Sequence, residues 1–169
     1  GWHQLTCAVL PLMRANGGGR IVQCSSVLGL VALKWRGAYN ASKFAIEALS
    51  DTMRLELRGS NIFVSLIEPG PITSRFTEHA LKAFEGNIDQ DNSHYRQAYE
   101  RQRARLGRGG SNRYKLEPEA VLEKLVHAVE SPRPKARYFV TKPTTYMSIA
   151  RRILPQRVLD HVLHKASDQ

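Results

Sequence analysis

Two short apolar runs on either side of a long helical pattern restrict the fold of this chain more than any other feature. Residues 20–26 (Arg-Ile-Val-Gln-Cys-Ser-Ser) and 62–67 (Ile-Phe-Val-Ser-Leu-Ile) have the composition of buried strands. Residues 39–58 between them carry apolar or small side chains at helical spacing, and Gly59 ends the pattern. A strand–helix–strand order predicts an α/β fold with a parallel sheet.

The ends of both predicted strands carry residues suited to binding or chemistry. Ser25 and Ser26 close the first strand, and Pro69-Gly70 follows the second. In open α/β sheets, ligands bind at the carboxyl ends of the strands. We therefore expect a functional site where these two segments meet.

Tyr39 and Lys43 add a candidate acid–base pair at the start of the predicted helix. A spacing of four residues places both side chains on one helix face. An ammonium group beside a phenol favours the phenolate, so we expect Lys43 to lower the pKa of Tyr39 from its ordinary value of about 10. A phenol tuned in this way can act as a general acid or base. The simpler alternative is a tyrosine on a helix face beside a solvated lysine.

Four motifs in a fixed order resemble the short-chain dehydrogenase/reductase family. They are Gly19-Arg20-Ile21-Val22, Ser25-Ser26-Val27, Gly37-Ala38-Tyr39 through Lys43, and Pro69-Gly70-Pro71-Ile72. The motifs lie within residues 1–75 and are similar to the C-terminal part of that family's domain. The segment Arg137-Tyr138-Phe139-Val140 and the basic tail after it are similar to bacterial aldehyde reductases and to retinol- and hydroxysteroid-dehydrogenase-like members.

The resemblance implies the C-terminal half of a Rossmann-type, doubly wound parallel sheet and an NAD(P)-dependent enzyme that interconverts a carbonyl and an alcohol. The implied catalytic residues are Ser26, Tyr39 and Lys43, with Ser26, thirteen residues before the tyrosine, also holding the substrate carbonyl. The implied cofactor-binding residues are Tyr39, Lys43, Pro69, Gly70, Ile72 through its backbone, and the hydroxyl of Thr73 or Ser74. NAD and NADP both stay open, with NADP slightly preferred.

Several parts of the family pattern are absent from the sequence. Gly17-Gly18-Gly19 precedes a strand rather than a helix, so it indicates a helix C-terminal turn and not a phosphate-binding loop. The family's Asn-Ala-Gly turn and the residue that selects NAD or NADP have no counterpart, and the catalytic asparagine would precede Gly1. We therefore expect a fragment that lacks on the order of 100 residues of its domain. An inactive fragment or a pseudoenzyme is the alternative to an active enzyme.

The remaining sequence divides into a domain and a tail. Residues 1–143 are expected to form the C-terminal part of one Rossmann-type domain, in which 74–115 are expected to be a substrate lid. Residues 144–169 are expected to form an amphipathic helical tail that is interrupted at Pro155. Trp35 and Phe76 are the candidate substrate-binding residues, and they suggest an apolar substrate such as a fatty aldehyde, retinoid or steroid. We expect the full-length protein to form a homo-oligomer.

Positive charge is concentrated in two segments of a chain whose formal net charge is +10. The stretch from Arg96 to Lys115 holds seven basic residues and one acid. A solvated lid is the favoured interpretation, while an anionic substrate, an acidic membrane surface and a basic surface-binding module stay open. No nucleic-acid recognition motif is present, so we expect no nucleic-acid partner. The tail can pack on its own domain, which we favour, or contact a membrane peripherally.

Cysteine and histidine usage indicates a cytoplasmic protein without a metal site. Cys7 and Cys24 lie on a predicted helix and a predicted buried strand and form no disulfide or metal pattern. The six histidines lack ligand spacing, so we expect no bound metal. No apolar run approaches about 18 residues, so no membrane-spanning helix is expected.

Overall fold

Parallel strands form the centre of the computed structural model, which describes residues 1–107 and 114–167. Within these residues the sheet has three strands in the order β1 (Gly19–Cys24), β2 (Ile62–Glu68) and β3 (Arg137–Phe139). β1 pairs with β2 from Gly19 opposite Ile62 to Cys24 opposite Ile67, and β2 pairs with β3 from Leu66 opposite Arg137. The α/β class and the parallel sheet predicted from the sequence are therefore confirmed.

Seven helices and one short 3₁₀ turn surround the sheet in the described part of the chain. They are α1 (Trp2–Ala15), the turn Val27–Gly29, α2 (Gly37–Glu56), α3 (Phe76–Asn87), α4 (Arg96–Gly107), α5 (Glu119–Glu130), α6 (Lys142–Ile153) and α7 (Gln156–Ser167). α1 ends in a glycine turn, because Gly17 and Gly18 have φ values of 78° and 148° that other residues rarely adopt. Pro155 separates α6 from α7 at the position where the sequence predicts an interruption.

Helices cover both faces of the sheet. On one face Met53 of α2 and Leu57, which follows that helix, pack against Ile21 of β1 and Val64 of β2, and α1 extends this cluster. On the other face Ala128 of α5 packs against Ile67 and Tyr138. The strand alternation explains the division, because neighbouring residues of a strand point to opposite faces. This two-sided covering is the doubly wound arrangement expected from the sequence.

β1 is less buried than its sequence predicts. Ile21 is the buried residue of this strand, and Cys24 is exposed. The prediction of a buried strand that includes Cys24 is wrong, because β1 pairs on one side alone in the described sheet. Ser25 and Ser26 follow the strand rather than ending it, and both are buried.

The tail helices pack on the turn after β1. Leu159 and Leu163 of α7 are buried against Val31. Ser167 accepts a hydrogen bond from the backbone N–H of Lys34 at 3.0 Å, and Arg151 of α6 donates to the carbonyl of Leu30. The more apolar side of α7 is thus already covered by its own domain. No described helix is long and apolar enough to span a membrane.

Candidate active site

The carboxyl ends of β1 and β2 meet through backbone hydrogen bonds. The N–H of Ser25 donates to the carbonyl of Ile67 at 2.8 Å, and the N–H of Val27 donates to the carbonyl of Pro69 at 2.8 Å. These bonds place the serine turn beside the Pro-Gly turn. The two segments that the sequence singles out therefore share one edge of the sheet.

Ser26 and Tyr39 form the centre of this site. Ser26 is 8% exposed, and its Oγ accepts a hydrogen bond from the N–H of Leu28 at 3.1 Å. The half-buried phenol of Tyr39, in the first turn of α2, lies close enough to the Ser26 hydroxyl for that hydroxyl to favour its ionised form. A phenol and an aliphatic hydroxyl that lie close together can both reach one carbonyl oxygen of a bound molecule.

The pKa of Tyr39 does not follow the sequence prediction. Burial raises it above its ordinary value, and the nearby Cys24 thiol raises it further. The hydrogen bond with Ser26 and the charge of Arg36 act in the opposite direction but do not outweigh burial. The expectation that Lys43 lowers this pKa is therefore wrong for the structure described. The phenol is held in its neutral, proton-donating form at neutral pH.

The position of Lys43 accounts for its lack of effect on the pKa of Tyr39. Its Nζ donates a hydrogen bond to the carbonyl of Cys24 at 2.9 Å and lies 5.6 Å from the centroid of the Tyr39 ring. The two side chains do share one helix face, as the spacing predicts. The ammonium, however, is directed to the end of β1, where it has further donors for another ligand.

Gly70 allows a close approach that the sequence did not reveal. A Cβ at this position would lie 2.1 Å from Oγ1 of Thr141, the N-cap residue of α6. Thr141 and Thr144 are buried, and their hydroxyl oxygens lie 3.0 Å apart. The Pro69-Gly70 turn is thus packed directly under the start of α6.

The other predicted cofactor-binding residues lie in the segment that follows. Ile72 forms a parallel bridge with Leu116, and Thr73 donates a hydrogen bond from its hydroxyl to Glu117 at 2.9 Å. The hydroxyl of Ser74 accepts a hydrogen bond from the N–H of Phe76 at 3.3 Å. Their role toward a cofactor stays a prediction.

The donor set suits the nicotinamide end of a dinucleotide. An ammonium, a phenol and backbone groups after β2 can pair with ribose hydroxyls and a carboxamide. Gly17 and Gly18 lie in the turn that leads into β1, as predicted, so they form no helix N-terminal phosphate cradle. In residues 1–107 and 114–167 no cluster of three His, Cys, Asp or Glu side chains could hold a metal ion.

The two predicted substrate-binding residues occupy different places. The ring of Phe76 lies against Tyr39, with centroids 5.3 Å apart. Trp35 instead packs edge-on against Tyr95 and Tyr99, with centroid distances of 5.6 and 6.2 Å. Phe76 therefore borders the phenol directly, whereas Trp35 belongs to an aromatic cluster with Tyr95 and Tyr99.

The sequence analysis did not predict a cluster of charged side chains that joins α2 to β2 and β3. Arg137 of β3 donates to Glu47 and Glu68, and to Asp51 at 2.6 Å. Glu68 at the end of β2 is fully buried, and burial, followed by the nearby Glu47, raises its pKa to about 8. The cluster joins α2, which carries Tyr39 and Lys43, to β2 and β3. No local motif could have revealed it, because Arg137 is far from its partners in the chain.

Arg36 was also missed. It precedes α2 as the N-cap residue, three residues before Tyr39, and its charge acts on the Tyr39 phenol.

Comparison with known proteins shows which sequences this chain resembles. The sequence model of short chain dehydrogenases matches residues 1–85. The oxidoreductase YbbO of Escherichia coli K12, itself uncharacterized, is 47% identical over 163 residues, covering 96% of this chain and 55% of that protein. Human retinol dehydrogenase 8 is 33% identical over 143 residues, covering 81% of this chain and 44% of its own length.

A solved structure agrees with the fold. The short chain dehydrogenase/reductase from Burkholderia phymatum, in complex with NAD, has a TM-score of 0.65 at 21% identity, covering 92% of this chain and 53% of that one. The chain spans about half the length of the relatives that it matches.

Proposed function

We propose, since this chain belongs to the short-chain dehydrogenase/reductase family, that the full-length protein interconverts a carbonyl and an alcohol with NAD or NADP. The observation that carries the proposal is that the Ser26 hydroxyl and the half-buried Tyr39 phenol lie close together at the carboxyl end of β1. It brings a proton donor and a second hydroxyl to one point beside Lys43.

Each of these side chains has a distinct role in the proposed reaction. Tyr39 donates its phenolic proton to the carbonyl oxygen as negative charge develops there. Ser26 orients that oxygen through its hydroxyl. Lys43 binds the ribose of the cofactor from the end of β1, and Phe76 borders the reacting group. The nicotinamide cofactor, when bound, supplies or accepts the hydride.

The protonation state of Tyr39 favours carbonyl reduction at neutral pH. A phenol whose pKa is raised stays protonated and is ready to donate. In the oxidation direction the same group must first lose its proton. We therefore expect reduction to dominate near neutral pH and oxidation to gain at alkaline pH.

A cofactor-oxidation screen tests the proposal. Full-length protein is incubated with NADH or NADPH and panels of aldehydes, ketones and steroids, and the loss of absorbance at the nicotinamide band is followed with product identification. Stoichiometric alcohol formation with any panel member supports the proposal. Tight NADH or NADPH binding without turnover across all panels would favour the pseudoenzyme alternative instead.

A further inference from the structure

A cleft of about 590 Å³ opens between Trp35, helix α4 and helix α7. Its wall includes Trp35, the side chains of Arg101, Gln102 and Arg105 from α4, and His164 from α7. The volume is within the range of pockets that hold small molecules.

Arg101 and Arg105 bring positive charge to the cleft, and neither belongs to an ion pair among the described residues. None of its described lining residues is Asp or Glu. The nearby acids on and beside α4 are used elsewhere, because Glu100 pairs with Arg96 and Glu85 pairs with Arg103. Arg105 donates through Nε to the buried Gln102 at 3.0 Å, which fixes the guanidinium group at the wall.

The guanidinium groups of Arg36 and Arg105 act on each other electrostatically, and both side chains are half-buried. Burial lowers the pKa of Arg105, and burial followed by the charge of Arg105 lowers the pKa of Arg36 to about 10. Both groups remain charged at neutral pH. An anion placed between them would offset their repulsion and their lost hydration.

The aromatic side of the cleft is built on an uncommon backbone conformation. Trp35 has a φ of 64°, a region that bulky residues rarely occupy. Its ring is held by edge contacts to Tyr95 and Tyr99. A flat apolar wall beside a guanidinium pair suits a molecule with an unsaturated or aromatic body and an acidic end.

Arg36 connects this cleft to the candidate active site. It lies between Trp35 and α2, and its charge acts on both Arg105 and the Tyr39 phenol. Trp35 lines the cleft and Tyr39 follows it by four residues, so the proton donor lies in the chain segment next to the cleft wall.

We propose that the cleft binds an anionic group of the substrate, a carboxylate, sulfonate or phosphate, through Arg101 and Arg105, so that the protein acts on carbonyl compounds bearing an acid. This assignment rests on the proposed function and narrows its substrate class. A phosphate of the cofactor has the same chemistry, and the experiment below separates the two sources.

Two matched aldehydes test the assignment by activity. 4-Formylbenzoate and its methyl ester present a similar carbonyl with and without a negative charge. Wild-type full-length protein should prefer the carboxylate. Arg105→Gln should lower kcat/KM for the carboxylate by about 10- to 100-fold, the range for loss of one charged hydrogen bond, and leave the ester unchanged.

Control variants separate local binding from general charge and folding. Arg103→Gln removes the same charge from the same helix but lies outside the cleft lining, so it should leave both substrates unchanged. Arg105→Lys should recover part of the loss, because it restores the charge without the guanidinium geometry. If Arg105→Gln raises the KM of the cofactor and not that of the carboxylate, the cleft holds a cofactor phosphate and the assignment is overturned.

A binding measurement keeps the two proposals distinguishable. Calorimetric titration with 4-(hydroxymethyl)benzoate should show binding that weakens with salt and is lost in Arg105→Gln. Such binding without reduction of either aldehyde or of any member of the carbonyl panels would reject the proposed function and retain the anion site. Equal affinity in wild type and Arg105→Gln, or no binding by wild type, would overturn the anion site whether or not the protein reduces aldehydes.

Discussion

Tyr39 shows how one residue's surroundings decide its chemistry. Its sequence spacing to Lys43 suggests a lowered pKa, yet desolvation outweighs the nearby positive charge of Arg36 and the hydrogen bond from Ser26. The ammonium of Lys43 is engaged by the carbonyl of Cys24. A residue's position on a helix face therefore does not settle the sign of its pKa shift.

Ionisation of Tyr39 should be visible by absorbance. In a titration of full-length protein without cofactor, the difference between wild type and Tyr39→Phe isolates this phenol. Because burial raises its pKa, tyrosinate absorbance should appear at a higher pH than for free tyrosine. Ionisation of this phenol near neutral pH would contradict the described surroundings.

Gly70 should resist substitution for a steric reason. Gly70→Ala places a methyl group against Thr141 Oγ1 and should cost about 1–3 kcal/mol of unfolding free energy, as overpacking does. Gly86→Ala is the matched control, since an added Cβ there meets no atom within 4 Å and its helical position favours alanine. Urea unfolding of both variants gives the comparison, and an equal effect of the two would refute the close contact.

At the scale of elements, the ion cluster fixes the helix that carries the site. Arg137 binds three carboxylates, two on α2 and one at the end of β2. With three acids around one guanidinium group in a mostly buried place, the cluster retains a proton, and burial followed by the nearby Glu47 favours its position on Glu68.

This proton makes the stability of the fold depend on pH. The folded pKa of Glu68 is raised above its unfolded value of 4.5 to about 8, so the folded state binds the extra proton. The stabilisation of the folded state by this bound proton is complete below pH 4.5 and is lost as the pH rises through 8. The unfolding free energy should therefore fall over this window by up to about 1.4 kcal/mol per pH unit.

Glu68→Gln should remove that slope. Urea unfolding of wild type and variant from pH 5 to pH 8.5 measures it, and Glu56→Gln, an exposed acid on α2, serves as the control. The variant should gain stability relative to wild type as the pH rises. A wild-type slope that survives Glu68→Gln would show that another group carries the proton.

The elements themselves could be predicted well, and their mutual contacts could not. Hydrophobic period and punctuation by Gly17, Gly59 and Pro155 locate helices and strands, because these signals are local. The contact of Gly70 with Thr141 and the approach of Arg36 to Arg105 join segments about 70 residues apart. Such pairings depend on how the layers pack, which one sequence does not encode in any local pattern.

At the scale of the whole molecule, we propose that the described residues form one end of a dinucleotide site. Lys43, Tyr39 and the segment after β2 suit a nicotinamide ribose, while the described residues include no glycine cradle at a helix N-terminus for a pyrophosphate. Helices α4 and α7 line the cleft together with Trp35.

Because the described residues include no such glycine cradle, we expect the 169-residue chain and the full-length protein to differ in cofactor affinity. Cofactor fluorescence titration should detect NADH or NADPH binding by full-length protein and none by the isolated chain, because backbone amides of a glycine loop supply much of the pyrophosphate binding. Circular dichroism confirms that the isolated chain is folded. Micromolar binding by a folded isolated chain would show that the described residues contain a cradle after all.

Proton transfer by Tyr39 is tested most directly by a comparison of Tyr39→Phe with Tyr146→Phe. Tyr146 is an exposed tyrosine on α6 and serves as the control. The measurement is kcat for carbonyl reduction by full-length protein, with cofactor affinity determined in parallel. We predict that Tyr39→Phe lowers kcat by about 10²–10⁴-fold at unchanged cofactor affinity, and that Tyr146→Phe behaves as wild type. Near-normal turnover by Tyr39→Phe would contradict the account.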